Sequence, residues 1–219
     1  TSGMVITILV NSINSAFSPW LAEKLAEKDY RSTFKMSAPY VAVFSYISAI
    51  SVLVTPEVLL ILGGSSYMDA KYVMPPVTAG CLLQFVYCMY VNIEQFEKKT
   101  LGMAAASIFA AALNFVLNYI CIPRFGYVAA AYTTYIGYFS LLLLHMYFVR
   151  KMGFFHVYNN KYVLFIAVGT SILIFLTNVL METYILRYTM ILVLLALGIA
   201  LLIKHKDFIL KMINSKKHS

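Results

Sequence analysis

The chain has 219 residues, 61% of them hydrophobic and 12% charged, with a mean hydropathy of +0.79 and a net charge of +8. A soluble globular domain carries about twice that share of charge, so this composition excludes an ordinary water-soluble domain. The basic excess is dispersed between long apolar runs and not gathered into one patch, which argues against a nucleic-acid partner.

Seven charge-free runs cover residues 1–22, 36–56, 72–93, 100–123, 125–149, 162–181 and 188–203. About 20 apolar residues at 1.5 Å per residue span a hydrocarbon core of roughly 30 Å. Six runs reach that length; the seventh has 16 residues and extends through Thr183–Tyr188 if Arg187 snorkels to the interface. In lipid every backbone polar group must be satisfied internally, which leaves a helix bundle or a closed barrel. Barrel strands alternate in polarity, whereas Leu192–Ile203 is apolar on every face. The expected fold is all-α, a polytopic transmembrane bundle of about seven helices.

The first run carries Asn11, Ser12, Asn14, Ser15 and Pro19, too polar for a helix facing lipid all round. It starts without Met, without a basic leader region and without a small-residue cleavage site, so it reads as the start of the C-terminal part of a longer protein. The linker LAEKLAEKDYRSTFK, residues 21–35, predicts a short amphipathic helix, with Leu21 and Leu25 on one face and Glu27 paired with Arg31. The second run ends at Pro56, followed by Glu57. That acid is either a coupling or gating carboxylate or one that reaches water at a helix end. Gly63–Tyr72 is a Gly/Ser turn, and Pro39, Pro56, Pro75 and Pro76 lie near membrane boundaries, where a missing amide costs little.

The third run holds Gln84 midway and Asn92 near its end. Glu94 and Glu97, beside Lys98 and Lys99, read as a solvated charge cluster. In the fourth run Asn114 and Asn118 are four apart and share a helix face. An Asn amide needs a partner in hydrocarbon, so the pair either bonds to a neighbouring helix or lines a polar pathway. Pro123 is expected to end that helix, Gly126 to turn the chain and Ala129–Ala131 to allow close packing. Arg124 is an outer-edge base open to anionic contact. His145 lies one turn from the inner end of the fifth run, either as a proton relay or as a packed histidine. The last two runs are almost uniformly aliphatic. The predicted organisation is therefore a five-helix bundle over 1–150, two peripheral lipid-facing helices over 151–203 and a basic tail over 204–219.

Alternate linkers collect 14 of the 17 Lys and Arg residues, leaving only Lys71, Arg124 and Arg187 on the other side. This positive-inside bias predicts a cytoplasmic C-terminus. Cys81, Cys88 and Cys121 fall inside predicted helices and read as packing residues, with no metal-binding spacing. There is no Walker loop, HExxH or GxSxG, so the reading is a transporter without a cofactor and not an enzyme.

The stretch LNFVLNYICIPRFGYVAAAYTTY, residues 113–135, resembles the C-terminal lobe of the polysaccharide biosynthesis transporters, the Wzx-type flippases of the MATE/MOP superfamily. Other segments agree in order and spacing: Ala16–Pro19 before the basic link, Val58–Gly64 followed by Tyr67 and Ala70, and Gln95 with Lys98–Thr100. Together they cover roughly residues 5–150. The resemblance implies export of undecaprenyl-diphosphate-linked oligosaccharide for surface polysaccharide or O-antigen, by rocking of two lobes in a bacterial inner membrane. It also implies a missing N-terminal lobe as partner, alongside membrane lipids and polysaccharide polymerase machinery. On that reading Asn11, Asn14, Gln84, Asn114 and Asn118 line the substrate pathway, and Tyr87 and Tyr90 are candidate glycan contacts. The alternatives are a cation-coupled drug or lipid II exporter of the same superfamily, and a membrane enzyme of glycan assembly.

Overall fold

The computed structural model describes residues 2–204, of which the expected basic tail contributes only Lys204; the rest of that tail lies outside the described residues. The described chain is helical, with no strand. Eight α-helices follow in order: α1 Ser2–Ala26, α2 Tyr30–Leu53, α3 Thr55–Gly63, α4 Met74–Phe96, α5 Thr100–Phe125, α6 Val128–Lys151, α7 Asn160–Leu176 and α8 Tyr184–Lys204. Five segments are long and apolar enough to cross a membrane: Tyr30–Leu53, Met74–Phe96, Thr100–Phe125, Val128–Lys151 and Asn160–Leu180. The protein is an all-α polytopic membrane helix bundle. Residues 2–22 of the first predicted run lie within α1, which has 25 residues, and the last run lies within α8, whose apolar part Tyr184–Ala200 is shorter than the five.

The helix ends follow from local chemistry. Three turns on the predicted inner side share one form. Lys28, Lys98 and Gly153 each take a left-handed conformation, at φ 59°, 56° and 86°. In each, the residue's own amide and the next one bond back to the helix, as in Lys98 N–H to Gln95 O and Lys99 N–H to Glu94 O. The linker after α1 is thus not one amphipathic helix. α1 continues past Pro19 to Ala26, and the left-handed Lys28 breaks the path before α2. Glu27 pairs with Lys24 at 2.6 Å, because Arg31 belongs to a separate helix. Asp29 caps α2, accepting from the Ser32 hydroxyl at 2.6 Å and the Ser32 amide at 3.2 Å. Those two bonds hold its carboxyl below its ordinary 3.8.

Prolines 56, 75 and 76 occupy the first turns of α3 and α4, where no intrahelical amide bond is lost. Pro123 departs from expectation: it stays inside α5, which ends only at Gly126, where φ is 73° and the amide closes on Ile122 O at 2.9 Å. In the last turn the bond a proline deletes is one near the membrane edge, so the helix tolerates it.

The chain forms two compact units, one running to Asn178 and one from Val179 onward. In the first, α4 is the central helix and packs against α1, α2, α6 and α7. Phe85 of α4 stacks on Phe44 of α2 at 4.1 Å and meets the Tyr40 ring at 4.7 Å with a 36° tilt. The Tyr158 hydroxyl, in the loop before α7, donates to Met89 O at 3.0 Å. α7 enters the same core through Val163 and Ala167, and Ser171 and Ile174 are also buried, so of the two helices expected at the periphery this one has a packed face. In the second unit Arg187 is buried, with its guanidinium over the rings of Tyr188 and Tyr184 at 5.1 and 5.7 Å. The expected snorkelling into interfacial water is not seen.

Close approach of α4 to α6 depends on Gly80. A Cβ built there would stand 3.1 Å from the Tyr138 ring. Gly80→Leu is expected to lower stability by about 1–3 kcal/mol through overpacking, with Gly80→Ala in between, read as the melting temperature of the purified protein in detergent.

Candidate functional site

A membrane-embedded titratable group with a buried partner is the first place to look for function. Here that group is Glu94. It lies at the end of α4, one helical turn beyond Tyr90 and two beyond Val86, and therefore on the stripe that α4 turns into the core. Its residue exposure is 0%. The expected solvated cluster is thus corrected: Glu94 is buried against α6, while Lys98 and Lys99 stay outside.

Its partner is His145 of α6, which is 2% exposed. The imidazole Nδ1 and the carboxylate Oε1 are 2.7 Å apart. Two acceptors cannot stand that close, so a proton lies between them, donated by the imidazole or by the carboxylic acid. The other face of the imidazole is covered by Tyr87, stacked at 5.6 Å. The second carboxylate oxygen, Oε2, is buried without a hydrogen-bond partner. Glu94 borders a pocket of about 250 Å3 whose wall also includes Lys99, Gly102, Phe148, Lys151 and Met152. Close packing of α5 on α6 beside the pocket is set by Gly102, where a Cβ would stand 3.3 Å from the Phe148 ring. Among the described residues no group of three His, Cys, Asp or Glu side chains could hold a metal ion.

The other candidate residues fall in separate places. Asn14 of α1 accepts from Asn92 of α4 at 2.8 Å, an interhelical bond on the other side of the central helix. Asn11 is exposed on α1. Gln84 is half-buried midway along α4, and its Oε1 is enclosed without a partner. Asn118 donates to Asn114 at 2.9 Å and accepts from Thr133 of α6 at 2.5 Å, so the pair joins α5 to α6 across their turn. Thr133→Val should weaken that junction by roughly 0.6 kcal/mol, the mean for such bonds in membrane bundles. A double-mutant cycle with Asn118→Leu, read by unfolding in detergent, measures the coupling, and additivity of the two changes would refute the bond. Arg124 is exposed in the last turn of α5, where a cation suits the helix dipole. Glu57 is half-buried in the first turn of α3, a position that suits a carboxylate for the same reason. Tyr90 is buried and its hydroxyl donates to Asn160 at 2.8 Å, so it faces α7 and not a polar cavity. Cys81 is buried, and Cys88 and Cys121 are half-buried.

No family model matches the chain, and no solved structure matches it. It is similar to an uncharacterized membrane protein of the archaeon Methanocaldococcus jannaschii, with 25% identity over 175 residues, covering 78% of this chain and 34% of that protein. The chain thus spans about a third of its relative's length. The likeness and the five apolar helices agree on a multi-pass, membrane-embedded protein.

Proposed function

We infer that the chain is part of a transporter that moves lipid-linked oligosaccharide from the inner to the outer leaflet of a cytoplasmic membrane by alternating access, without catalysing a reaction. The observation that carries this reading is the ordered series of motifs between Ala16 and Thr134. Their residues take roles that a hairpin-built lobe requires: Gly126 turns α5 into α6, Thr133 bonds to Asn118 across that turn, and buried Ala129 and Ala131 let the two helices approach. Support also comes from the polar pairs inside the bundle, Asn14–Asn92 and His145–Glu94. Such groups are costly in lipid and are kept where they face other helices or a pathway.

The test is deletion of the full-length gene followed by complementation. Loss of surface polysaccharide, with lipid-linked oligosaccharide accumulating on the inner leaflet, is the expected result. Unchanged surface glycan with raised drug sensitivity would replace this reading with that of a cation-coupled exporter. Accumulation of shorter, unpolymerised glycan on the outer leaflet would favour a membrane enzyme of glycan assembly.

A further inference from the structure

To orient a chain in the membrane, lysines need only lie somewhere in the turns of one face. In the turn after α1 such a lysine is neutralised locally: Lys24 meets Glu27 at 2.6 Å and Asp29 at 3.9 Å. The ends of α4, α5 and α6 on the same predicted side are arranged differently. Lys99 comes from the α4–α5 turn and Lys151 from the last turn of α6, yet both border one pocket of about 250 Å3. Among the described residues neither forms an ion pair. The wall's one acid does not answer them. Glu94 has a side chain 1% exposed, with Oε1 held by His145 at 2.7 Å and Oε2 enclosed. Two cations drawn from separate helices to one concavity repel each other, and an anion between them reverses that cost. We propose that this pocket binds the phosphate of an anionic phospholipid from the adjoining leaflet, held between Lys99 and Lys151. The site is independent of what the bundle transports.

The backbone fixes both cations. The left-handed Lys98 and the bond from the Lys99 N–H to Glu94 O, at 2.9 Å, hold Lys99 at the buried end of α4. On α6 the Met152 N–H closes on Phe148 O at 2.9 Å, so Lys151 sits between two other residues of the wall. Each exposed ammonium brings three donors and adapts to the approach of a phosphate. α5 begins at this wall with no side-chain cap, which leaves its first-turn amides as further donors. The neighbouring charges lie off the site. Arg150 is turned onto the Phe155 ring at 5.5 Å, and Glu97 and Lys98 are not part of the wall. The rest of the lining suits a lipid in particular. Gly102, Phe148 and Met152 are half-buried and apolar, a surface for the glycerol carbons and first methylenes behind the phosphate. Basic pockets between membrane helices at this depth take anionic headgroups, and each lysine strengthens such binding about fivefold.

The test measures lipid binding to the full-length protein in neutral detergent by native mass spectrometry. One phosphatidylglycerol should bind at least about tenfold more tightly than phosphatidylcholine, whose headgroup has no net charge. Lys99→Gln with Lys151→Gln should remove that preference, a loss of at least about tenfold. Arg31→Gln with Lys35→Gln takes the same charge from exposed positions at the start of α2 and should change it by less than about twofold. Equal losses in the two double variants would mean diffuse attraction to a basic face and overturn the site, as would no preference for phosphatidylglycerol in the unaltered protein. Inorganic phosphate and glycerol 1-phosphate separate the two sources of a phosphate group. Neither should displace the bound lipid at millimolar concentration, and displacement would overturn the lipid assignment in favour of a soluble phosphate. If the Lys99/Lys151 double variant does not fold, Lys99→Gln and Lys151→Gln singly decide, each with an expected loss of about fivefold.

Discussion

Replacing His145 with leucine is expected to destabilise the bundle by about 3–5 kcal/mol. The reason is what remains: a carboxylate at 0% exposure that loses its one bonded neighbour while its other oxygen already lacks a donor. Desolvation of that charge is then uncompensated. Exchanging both members, Glu94→Met with His145→Leu, removes the charge as well as the bond and should recover most of the loss, because a well-packed apolar pair is no worse than a buried ion pair. Reversible unfolding in mixed micelles of the single and double variants measures both quantities. A single-variant loss below about 1 kcal/mol would mean that pocket water solvates Glu94 without help from His145.

Phe85→Ala should cost about 2–3 kcal/mol, less than the 3–5 of a soluble core. Phe85 is 1% exposed, stacked on Phe44 and in tilted contact with Tyr40. In water-soluble proteins such a truncation loses both transfer free energy and packing. In a bilayer the unpacked helices would face lipid tails as apolar as the core, so the transfer part nearly vanishes and the cavity and lost dispersion contacts remain. Phe85→Leu, which fills most of the space, should retain most of the stability. A full soluble-core loss for Phe85→Ala, measured by the same unfolding, would contradict the lipid-exposed reference state assumed here.

Helix positions were legible because hydrophobic length is a crude and strong signal: over the described residues each of the seven apolar runs falls mainly on one or two helices. The finer errors trace to features that length does not carry. Glu94 stands one residue past an apolar run and three before the turn that begins at Glu97, so its neighbours in sequence suggest water. Helical phase carries the opposite message, since Leu82, Val86, Tyr90 and Glu94 repeat every four residues on the buried side. The packed face of α7 was hidden by its uniform apolarity. Its signal is the spacing of Val163, Ala167 and Ser171, which marks a face smaller than the opposite one bearing Phe165, Ile172 and Leu176. For Asn118 the shared face with Asn114 was visible, but its partner Thr133 lies fifteen residues away across a turn, where one sequence offers no pairing rule.

The two lysines that sit in left-handed turns, Lys28 and Lys98, are asked to do opposing things. As side chains they add to the positive charge that tells a nascent segment which side to stay on. As backbone positions they hold a geometry that glycine, already used at Gly153 in the third such turn, adopts more easily. Selection for heat resistance alone would convert both to glycine. The resulting chain would hold its helix ends more firmly and yet be read less clearly by the insertion machinery, so for this protein orientation fidelity and thermal robustness are traits that cannot be maximised at the same residues.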